Sequence, residues 1–567
     1  MVKIFIDDKE LQVREDSTIL QAARENSIPI PTLCYLEGLN EIGACRLCAV
    51  EVKGQHRLVA ACNTKVRDGM EIFTRTEKVR RARRINVQLI LSQHNCNCPT
   101  CIRNGNCQLQ KVSEQLGVNT LAYTKNYKQQ PWNLSAPLIR DETKCIKCMR
   151  CIQICDQVQN LHVWDLVNTG KRTRVDKVRE ACTYCGQCIT HCPVAALTAR
   201  DDTEKIWQAL KDPDKIVLVQ AAPAVRGAWA EESGLAREQA GPEKLAAALR
   251  RLGFNYVFDT NFSADLTIME ESAELIDRMQ KKEKYAGPMF TSCCPGWVRF
   301  VELEYPEMSG HLSTAKSPMA MFSAVAKSYY AELLNVSPEK LVCVAVMPCV
   351  AKKYESDVPE VNSESDLKDT DFVITTRELS RMLKIANINI AQLPEEPFDK
   401  PLGEATGGAM IFGTTGGVME AAVRNAYHML TGSNPDSDTF IQWKWLDRWR
   451  EADVTIGNVT LKIAVTSGLG CARDLMEAVK NGSAQYDFIE IMACPGGCSG
   501  GGGQPIHEGE ELAWKRGSYL RGLDKRAKLR VSYENPYIQE LYKNFLGEPL
   551  SEKAEHYLHT NQKNWTL

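Results

Sequence analysis

Cysteine constrains the fold of this chain more than any other residue type. Of the 23 cysteines in its 567 residues, sixteen lie within the first 192 residues, in closely spaced groups. Five of the remaining seven lie in three later segments rich in glycine and proline: Thr291–Trp297, Met347–Lys353 and Met492–Cys498. Because thiols stay reduced in the cytosol, such patterns indicate metal ligation rather than disulfides. The spacing predicts a series of iron–sulfur clusters in the first half that carries electrons to a redox site in the second.

Composition and charge argue against several other classes of protein. The net charge is −2, which offers no electrostatic basis for binding nucleic acid or a membrane surface. The basic stretch Lys78–Arg84 predicts a helix with a solvated face, or one that docks an acidic partner. The opening residues lack the apolar core of a signal peptide, and no run of about 18 apolar residues occurs. We therefore expect a cytoplasmic protein of three or four domains, with no nucleic acid and no membrane partner.

The first predicted domain, residues 1–78, should hold a 2Fe-2S cluster. Alternating apolar residues over 2–13 predict a β-hairpin, and residues 18–24 have helical spacing. Four cysteines follow in a C-x10-C-x2-C-x13-C pattern that suits such a cluster: Cys34, Cys45, Cys48 and Cys62. Structural zinc is the alternative, although zinc ribbons usually use paired C-x2-C knuckles. The stretch resembles the plant-type ferredoxin domain, a β-grasp fold, although its cysteine spacing differs from that of the plant proteins.

The second predicted domain, residues 79–125, includes a histidine among its candidate ligands. Three cysteines and that histidine have ligand-like spacing: His94, Cys98, Cys101 and Cys107. The spacing alone fits either zinc or a 4Fe-4S cluster. The neighbouring cluster patterns favour the 4Fe-4S cluster over zinc. Ligation by imidazole would raise the reduction potential of that cluster. Cys96 is either a free thiol beside the cluster or a ligand in place of His94.

The third predicted domain, residues 126–205, carries a doubled C-x2-C-x2-C-x3-C run. This is the pattern of bacterial two-cluster ferredoxins, in which the fourth cysteine of each run ligates the cluster of the other run. The pattern predicts two 4Fe-4S clusters with the ligand sets Cys145, Cys148, Cys151, Cys192 and Cys182, Cys185, Cys188, Cys155. The second run is followed by Pro193, whereas the first is followed by Asp156. This difference affects the turn more than the ligation.

The fourth predicted domain, residues 206–567, has the texture of parallel α/β lobes. Apolar runs predict buried strands at 216–220, 341–346 and 461–465. Amphipathic runs predict helices at 245–251 and 417–424. The three cysteine segments follow strands or join them to helices, where sites form in such folds. No Walker A sequence occurs, and Gly468-Leu-Gly-Cys-Ala lacks the third glycine of a dinucleotide fingerprint. We therefore expect no nucleotide site in this chain.

Four cysteines of the late segments could hold one 4Fe-4S cluster. The candidates are Cys294, Cys349, Cys494 and Cys498, and the glycines at 500–503 would let backbone approach a bulky inorganic group. Cys293 is adjacent to Cys294, and neighbouring side chains point in different directions, so both should not bind the same iron. Cys293 is then a candidate proton carrier, with a packed core thiol as the alternative.

Together these segments resemble the three signature motifs of the FeFe-hydrogenases, and the chain is similar throughout to the clostridial type with four accessory clusters. The resemblance implies reversible reduction of two protons by two electrons to dihydrogen. It implies an H-cluster, a 4Fe-4S cubane bridged through a cysteine sulfur to a di-iron azadithiolate unit that carries CO and cyanide. The cofactors would be one 2Fe-2S cluster, four 4Fe-4S clusters including the cubane, and the di-iron unit. The implied fold is a multidomain α+β chain: the β-grasp domain, a small His/Cys cluster domain, a two-cluster ferredoxin domain and a two-lobed α/β H-cluster domain.

The resemblance also assigns roles to residues of the last domain. Cys294, Cys349 and Cys494 would bind the cubane, and Cys498 would bind it while bridging to the di-iron unit. Cys293 would pass protons to the azadithiolate amine, and Lys352 would donate to a cyanide ligand. The apolar pocket would be lined by Pro223, Met347, Phe412 and Met492.

A proton route has its own sequence trace. Glu271, Glu274 and Arg278 share one face of a predicted helix, which by itself fits a surface salt-bridge stripe. With the resemblance, these residues and Ser313 match a relay from Cys293 to solvent. Two positions depart from the clostridial pattern: Ala224 stands where some members have serine, and Met319 where glutamine is common. Such changes affect cluster potential and oxygen tolerance rather than the reaction.

Several alternatives remain at this point. A large iron–sulfur subunit of respiratory complex I would share the first 200 or so residues but lack the late motifs. An iron–sulfur assembly protein would lack the di-iron pocket, and a hydrogen sensor would carry a signalling domain. The expected partners are ferredoxin as electron carrier and hydrogenase maturation proteins. A subunit role with NAD(P)-linked flavin subunits, in a complex that could bifurcate electrons, is the alternative to ferredoxin.

Overall fold

The computed structural model describes residues 1–170, 173–281, 283, 285, 287–364, 366–563 and 565. The chain forms two compact units. The first comprises Met1–Gln157, His162–Glu180 and His191–Thr198, and the second comprises Val158–Leu161, Ala181–Thr190 and Ala199–Leu567. The segment with the doubled cysteine run, residues 126–205, therefore contributes to both units.

The first unit begins with a five-stranded mixed sheet. In sheet order its strands are Lys9–Val13, Val2–Ile6, Met70–Phe73, Ala49–Val52 and Val59–Ala60. Val2–Ile6 pairs antiparallel with Lys9–Val13 and parallel with Met70–Phe73, which confirms the predicted hairpin. The predicted helix is Ile19–Glu25, which Thr18 caps: its hydroxyl accepts from Gln21 N at 3.2 Å, while its own N–H donates to Gln21 Oε1 at 2.8 Å.

Shorter elements complete the first unit. Its remaining helices are Glu77–Ser92, Gln108–Gln115 and Arg150–Gln153, and its remaining strand pairs are Leu138–Arg140 with Leu197–Ala199 and Trp164–Val167 with Arg174–Lys177. The predicted basic helix is the first part of Glu77–Ser92. One of its arginines, Arg83, is buried and donates to Ala49 O at 2.9 Å, so the basic stretch is a solvated face only in part.

The second unit contains an all-parallel four-stranded sheet. In sheet order its strands are Tyr256–Asp259, Ile216–Ala221, Leu341–Met347 and Phe372–Thr375. Every pairing in this sheet is parallel, as the alternation of strands and helices predicted. Neighbouring residues of these strands belong to different apolar clusters, Val217 to one and Leu218 to another. The reason is that successive side chains of a strand point to opposite faces of the sheet.

A second sheet in the same unit is mixed, so the prediction of parallel lobes is wrong for it. In sheet order its strands are Met289–Phe290, Phe488–Met492, Val459–Ser467, Arg450–Ile456 and Lys444–Trp445. The first three strands are parallel to one another. Arg450–Ile456 is antiparallel to Val459–Ser467, and Lys444–Trp445 is antiparallel to Arg450–Ile456. The physical reason is the direct turn at Gly457, whose positive φ of 58° folds the chain back as a hairpin without a crossover helix.

Helices surround both sheets of the second unit. They are Gln187–Thr190, Thr203–Lys211, Pro242–Arg251, Thr260–Gln280, Pro295–Glu304, Pro318–Val325, Ala331–Leu334, Ala351–Glu355, Thr376–Ile385, Gly407–Met410, Gly417–Thr431, Leu469–Lys480, Ala513–Arg526, Pro536–Leu541 and Glu552–Leu558. The helix Thr260–Gln280, here called the long helix, is buried over most of its length. Across the described ranges, no helix has both the length and the apolar composition needed to cross a bilayer.

Polar contacts attach the last 60 or so residues to the rest of the second unit. Asp265, which is fully buried on the long helix, accepts from Ser532 Oγ at 2.6 Å and Asn535 Nδ2 at 2.9 Å. Arg516 donates to Glu231 Oε2 at 2.6 Å, and Asp524 pairs with Arg424 at 3.2 Å. Because these charges are buried and paired, the C-terminal segment is an integral part of the unit.

Candidate active site

Three loops at the ends of parallel strands form the centre of the second unit. Cys294 follows the strand Met289–Phe290, Cys349 follows Leu341–Met347, and Cys494 follows Phe488–Met492. Each loop lies at the carboxyl end of its strand, the edge where sites form in parallel sheets. Cys294 and Cys494 therefore lie together because their strands are parallel neighbours in one sheet, although 200 residues separate them, and Cys349 joins them from the end of a strand in the other sheet.

The four candidate ligands of this centre influence one another. Burial, together with the Cys294 thiol, raises the pKa of Cys349 to about 12. Burial also raises the pKa values of Cys494 and Cys498, with Cys294 and Cys349 among the further causes in both cases. Neighbouring buried thiols lose their protons only when a strongly positive group binds them. The iron of an iron–sulfur cluster is such a group, so the residues present fit one.

The glycine run after Cys498 packs closely on another segment of the main chain, whereas the sequence predicted an approach to an inorganic group. A Cβ at Gly501 would lie 2.3 Å from Pro348 O, and one at Gly503 would lie 2.8 Å from Pro348 C. Because real Cβ atoms do not come that close, only glycine allows this loop to pack on the segment that carries Cys349.

Cys293 and Lys352 lie side by side in this centre. Lys352 Nζ donates to Cys293 O at 3.1 Å and to Glu355 Oε2 at 2.6 Å. Burial alone would lower the pKa of Lys352, but the Glu355 carboxylate outweighs that effect and holds the pKa above its usual range. The lysine is therefore a buried cation, which suits an anionic ligand. Burial, followed by the Glu271 carboxyl, raises the pKa of Cys293 well above its usual range.

The predicted pocket residues are buried around the centre. Phe412 and Met492 share an apolar cluster with Cys293, whereas Met347 belongs to the adjoining cluster. Pro223 begins a short turn directly after the strand Ile216–Ala221. All four side chains are buried and apolar, which is compatible with the predicted pocket.

The two departures from the clostridial pattern are both buried. Ala224 is 1% exposed, and a Cβ added at Gly413 would lie 2.9 Å from its Cβ. Met319 is also 1% exposed, and its carbonyl accepts from Gln220 Nε2 at 3.0 Å.

The predicted proton-route residues form a buried series rather than a surface stripe. Ser292 N donates to Glu271 Oε1 at 3.5 Å, and Glu271 Oε2 has no hydrogen-bond partner among the described residues. Ser313 Oγ donates to Glu274 Oε2 at 2.6 Å. Burial, reinforced by the Glu274 carboxyl, raises the pKa of Glu271 to about 8, which suits a group that gains and loses protons near neutral pH.

The outer end of this series reaches a cavity. Arg278 Nη2 donates to Glu274 Oε1 at 2.6 Å and to Leu312 O at 2.8 Å. Arg278 also lines a cavity of about 770 Å³, together with His311 and Lys462. The series thus runs from the neighbourhood of Cys293 to a space large enough for many water molecules.

The four cysteines of the 2Fe-2S pattern approach in two pairs. Cys48 Sγ lies 3.4 Å from Cys62 Sγ. A hydrogen bond from Cys34 lowers the pKa of Cys45 to about 6. Two pairs of neighbouring sulfurs suit a cluster with two irons, each bound by one pair.

Two further ligand sets of the first unit each line a cavity. One of about 380 Å³ is lined by His94, Cys96, Cys98, Cys101 and Cys107, and a smaller one by Cys145, Cys148, Cys151 and Cys192. His94 Nδ1 lies 3.0 Å from Lys144 O, so Nε2 is the ring nitrogen that would be available to the predicted cluster. Cys96 is positioned beside this set, with its Sγ 3.3 Å from His94 O. Among the described residues, no three His, Cys, Asp or Glu side chains are arranged to hold a single metal ion. The ligands of a cluster bind different irons, so they need not converge on one point.

The second triplet of the doubled run packs in the second unit, on the catalytic centre. A Cβ at Gly502 would lie 2.3 Å from Cys185 O, and Cys494 Sγ lies 3.6 Å from the same oxygen. Gln187 Nε2 donates to Gly500 O at 2.9 Å. Cys182 and Cys188 lie in the same unit, whereas Cys155 lies in the first.

Sequence reasoning missed two buried carboxylates. Glu355 pairs with Lys352, and the Lys-x-x-Glu spacing on a helix was the available signal. Glu490 accepts from Gly416 N at 2.6 Å and Met419 N at 2.7 Å, and burial raises its pKa to about 7. A single charge inside the apolar run Phe488–Met492 could have revealed it.

Comparison with known families agrees with this architecture. The model described as "Iron only hydrogenase large subunit, C-terminal domain" matches residues 215–502, and "Iron hydrogenase small subunit" matches residues 510–565. A 2Fe-2S binding domain matches residues 1–77, a "NADH-ubiquinone oxidoreductase-G iron-sulfur binding region" residues 83–121, and a 4Fe-4S dicluster domain residues 144–196.

Individual proteins match over nearly the whole length. The NADP-reducing hydrogenase subunit HndD of Solidesulfovibrio fructosivorans is 47% identical, over 99% of this chain and 98% of its own. Iron hydrogenase 1 of Clostridium pasteurianum is 38% identical, over 99% and 100%. The solved structure of the apo FeFe-hydrogenase HydA1 from Chlamydomonas reinhardtii is 42% identical with a TM-score of 0.58, over 64% of this chain and 99% of its own.

The fold and the cysteine-lined centre, with these matches, define an iron–sulfur oxidoreductase that acts on hydrogen. More narrowly, the chain belongs to the iron-only hydrogenases, with accessory 2Fe-2S and 4Fe-4S domains ahead of the catalytic domain.

Proposed function

We propose that this hydrogenase interconverts two protons, two electrons and dihydrogen at an H-cluster held by Cys294, Cys349, Cys494 and Cys498. The carrying observation is the meeting of three strand-end loops, with buried cysteines, beside a buried series of proton-transfer groups. The H-cluster, when bound, supplies the iron chemistry that cleaves and forms dihydrogen.

In this proposal the protein supplies proton transfer, orientation and exclusion of water. Cys293 would hold a proton between the bound H-cluster and Glu271, whose pKa of about 8 allows it to gain or lose that proton near neutral pH. Glu274 and Ser313 continue the route at 2.6 Å, and Arg278 ends it at the cavity. Lys352 presents its charge to an anionic cluster ligand, while Pro223, Met347, Phe412 and Met492 keep the site apolar.

The proposed cofactor complement is one 2Fe-2S cluster, four 4Fe-4S clusters and one di-iron unit. The ligand sets are those given by the sequence, in domains 1–78, 79–125, 126–205 and 206–567. This complement implies about 20 iron atoms per chain. Metal analysis of reconstituted protein tests the number, and near-stoichiometric zinc would contradict the cluster assignments.

Infrared spectroscopy tests the catalytic assignment directly. Protein produced with the maturation enzymes should show the bands of iron-bound CO and cyanide and evolve hydrogen from a reduced viologen. Protein produced without them should keep the 4Fe-4S clusters and lack both properties. If CO and cyanide bands were missing after maturation, the proposed reaction would have to be given up.

Electrons can reach the catalytic centre from two accessory sites. The Asn40 amide bridges Cys34 O at 2.6 Å and Cys148 O at 2.9 Å, which connects the 2Fe-2S loop to the next cluster loop. The His94 ring contacts Lys144 O, directly before Cys145. Both accessory sites therefore converge on the same 4Fe-4S loop.

A small ferredoxin is the proposed electron carrier, in the cytoplasm. The second candidate is a subunit role in an NADP-linked complex, which the 47% identical NADP-reducing relative favours. Purification from the native host separates the two. Co-elution with flavin-containing subunits and NADPH-dependent hydrogen evolution would support the complex and contradict stand-alone ferredoxin dependence.

A further inference from the structure

The segment Leu558–Gln562 lies against the loop that carries the outer half of the proposed proton route. Lys316 N donates to Leu558 O at 2.7 Å, and Thr560 N donates to Thr314 O at 2.8 Å. The segment and the loop also form an antiparallel bridge. The C-terminal segment therefore fixes the main chain of this loop from one side.

His559 adds a side-chain contact between the loop and the long helix. Its Nδ1 lies 2.8 Å from Thr314 Oγ1, and its Nε2 lies 3.0 Å from Glu270 Oε2. The His559 side chain is 7% exposed and that of Glu270 is 0% exposed. Because a carboxylate only accepts, Nε2 carries the proton that is donated to Glu270, and Nδ1 is the hydrogen-bond partner of the Thr314 hydroxyl.

The same loop holds two of the donors to Glu274. Ser313 Oγ donates to Glu274 Oε2 at 2.6 Å, and Thr314 N donates to the same oxygen at 3.1 Å. On the other side of the loop, Thr314 contacts His559. A displacement of Thr314 would thus lengthen the contacts to Glu274.

We propose that His559 is a positioning residue of the proton route, which holds the loop Ser313–Thr314 at donor distance from Glu274. The inference rests on the proposed function of that route. Protons pass along hydrogen bonds of about 2.6 to 3.2 Å, and small misplacements of such groups cost large factors in rate. Residues of the small-subunit segment, 510–565, would then serve the reaction and not only the stability of the fold.

The alternative is that His559 matters only as the partner of the buried Glu270. Two amide substitutions separate these roles, because an asparagine side chain ends near the position of Nδ1 and a glutamine side chain near that of Nε2. His559→Asn keeps a partner for Thr314, whereas His559→Gln keeps a donor for Glu270. His556→Ala is the matched control, since His556 lies on the adjacent helix and pairs with Glu364 at the surface.

The experiment uses the fully matured chain and compares these variants with the wild type. We expect His559→Gln to lower viologen-linked hydrogen turnover roughly tenfold and to raise the solvent deuterium isotope effect. The infrared bands of the H-cluster should stay unchanged. His559→Asn should retain most of the wild-type turnover, and His556→Ala all of it.

The proposal is overturned if His559→Gln keeps wild-type turnover and isotope effect, or if His559→Asn is the more impaired variant. If either variant fails to fold, Thr314→Val decides, because it removes the hydroxyl partner and leaves Glu270 paired. It should reproduce the tenfold loss, and wild-type turnover in it overturns the proposal. A wild type without CO and cyanide bands would instead refute the proposed function.

Discussion

Glu271 and Cys293 illustrate what burial does to single groups in this protein. Both are buried, and the nearest cations, Arg278 for Glu271 and Lys352 for Cys293, offset only part of the loss of solvent. Desolvation therefore raises both pKa values, as expected for acids placed in an apolar environment. For a proton-transfer series this is functional, because the groups remain protonated until a base accepts the proton.

Replacement of Cys293 by serine should separate proton transfer from cluster binding. Because a hydroxyl is a far weaker acid than a thiol, we expect turnover to fall by at least about 10²-fold, with the H-cluster still assembled. Turnover and infrared spectra of Cys293→Ser measure this. Cys471→Ser, a half-buried thiol outside the centre, is the control and should stay active. Full activity of Cys293→Ser would remove the proton role.

Glu271 should make the stability of the protein depend on pH. Its pKa of about 8 in the folded state exceeds the roughly 4.3 of an unfolded chain, so the folded state binds this proton more tightly. The free energy of unfolding should therefore fall as pH rises from about 4 to about 8 on account of this group. Glu271→Gln removes that loss, so its stability relative to the wild type should increase across this window. Denaturant midpoints of both proteins at pH 5 and pH 9 measure the effect. If the stability of the wild type and of the variant changed equally between these pH values, the prediction would be contradicted.

Candidate ligands could be predicted from the sequence because cluster ligation is a local pattern. The groups around Cys34, Cys98 and Cys145 have diagnostic spacing over a few residues. Glu355 and Glu490 leave only weak traces in the sequence, a Lys-x-x-Glu spacing and a single charge in an apolar run, and their importance follows from burial. Whether a carboxylate is buried depends on tertiary packing, which a single sequence does not state.

At the scale of elements, hydrophobic runs predicted the strands but not always their direction. The run at 216–220 became a central parallel strand, as expected. The run at 461–465 became part of Val459–Ser467, which is parallel to one neighbour and antiparallel to the other. A buried run has the same composition in both arrangements, and the connection decides between them. Here the two-residue turn at Gly457 and Asn458 was the deciding feature.

The glycine loop after Cys498 should not tolerate even a methyl group. Gly501→Ala would place a Cβ 2.3 Å from Pro348 O, so we expect the loop to move away from the segment that carries Cys349 and the cubane to be retained poorly. Gly522→Ala is the matched control. Its Cβ would meet only Arg526 at 3.6 Å, on the helix Ala513–Arg526, where alanine should stabilise by up to about 1 kcal/mol. Iron content and thermal unfolding of both variants measure the difference, and normal iron retention in Gly501→Ala would contradict the crowding argument.

At the scale of the whole molecule, packing and cysteine pattern divide the chain differently. The doubled run predicted one ferredoxin-like domain, yet its second triplet packs with the catalytic unit and its first with the other. Sequence separation gives no sign of this, because the contacts of Cys185 and Gln187 are with residues near 500. The arrangement places a predicted cluster loop directly on the loops of the catalytic centre.

Removal of residues 1–78 should affect electron supply more than catalysis. The solved Chlamydomonas reinhardtii relative covers 64% of this chain with 99% of its own length, so that protein folds without counterparts of the remainder of this chain. We expect the matured variant to keep viologen-linked turnover and to lose turnover with its protein electron donor. Steady-state assays with both donors measure this. Equal losses with both donors would indicate that the first domain is needed for folding instead.

The small-subunit segment has a consequence for how the enzyme behaves at low concentration. Residues 510–565 match the family described as "Iron hydrogenase small subunit", and here one peptide chain joins them to the catalytic domain. A tether replaces a bimolecular equilibrium by an intramolecular one, with an effective concentration in the millimolar range. Dilution therefore cannot remove the segment from its buried contacts with Asp265 and Glu270, and each catalytic domain is made with one copy of it.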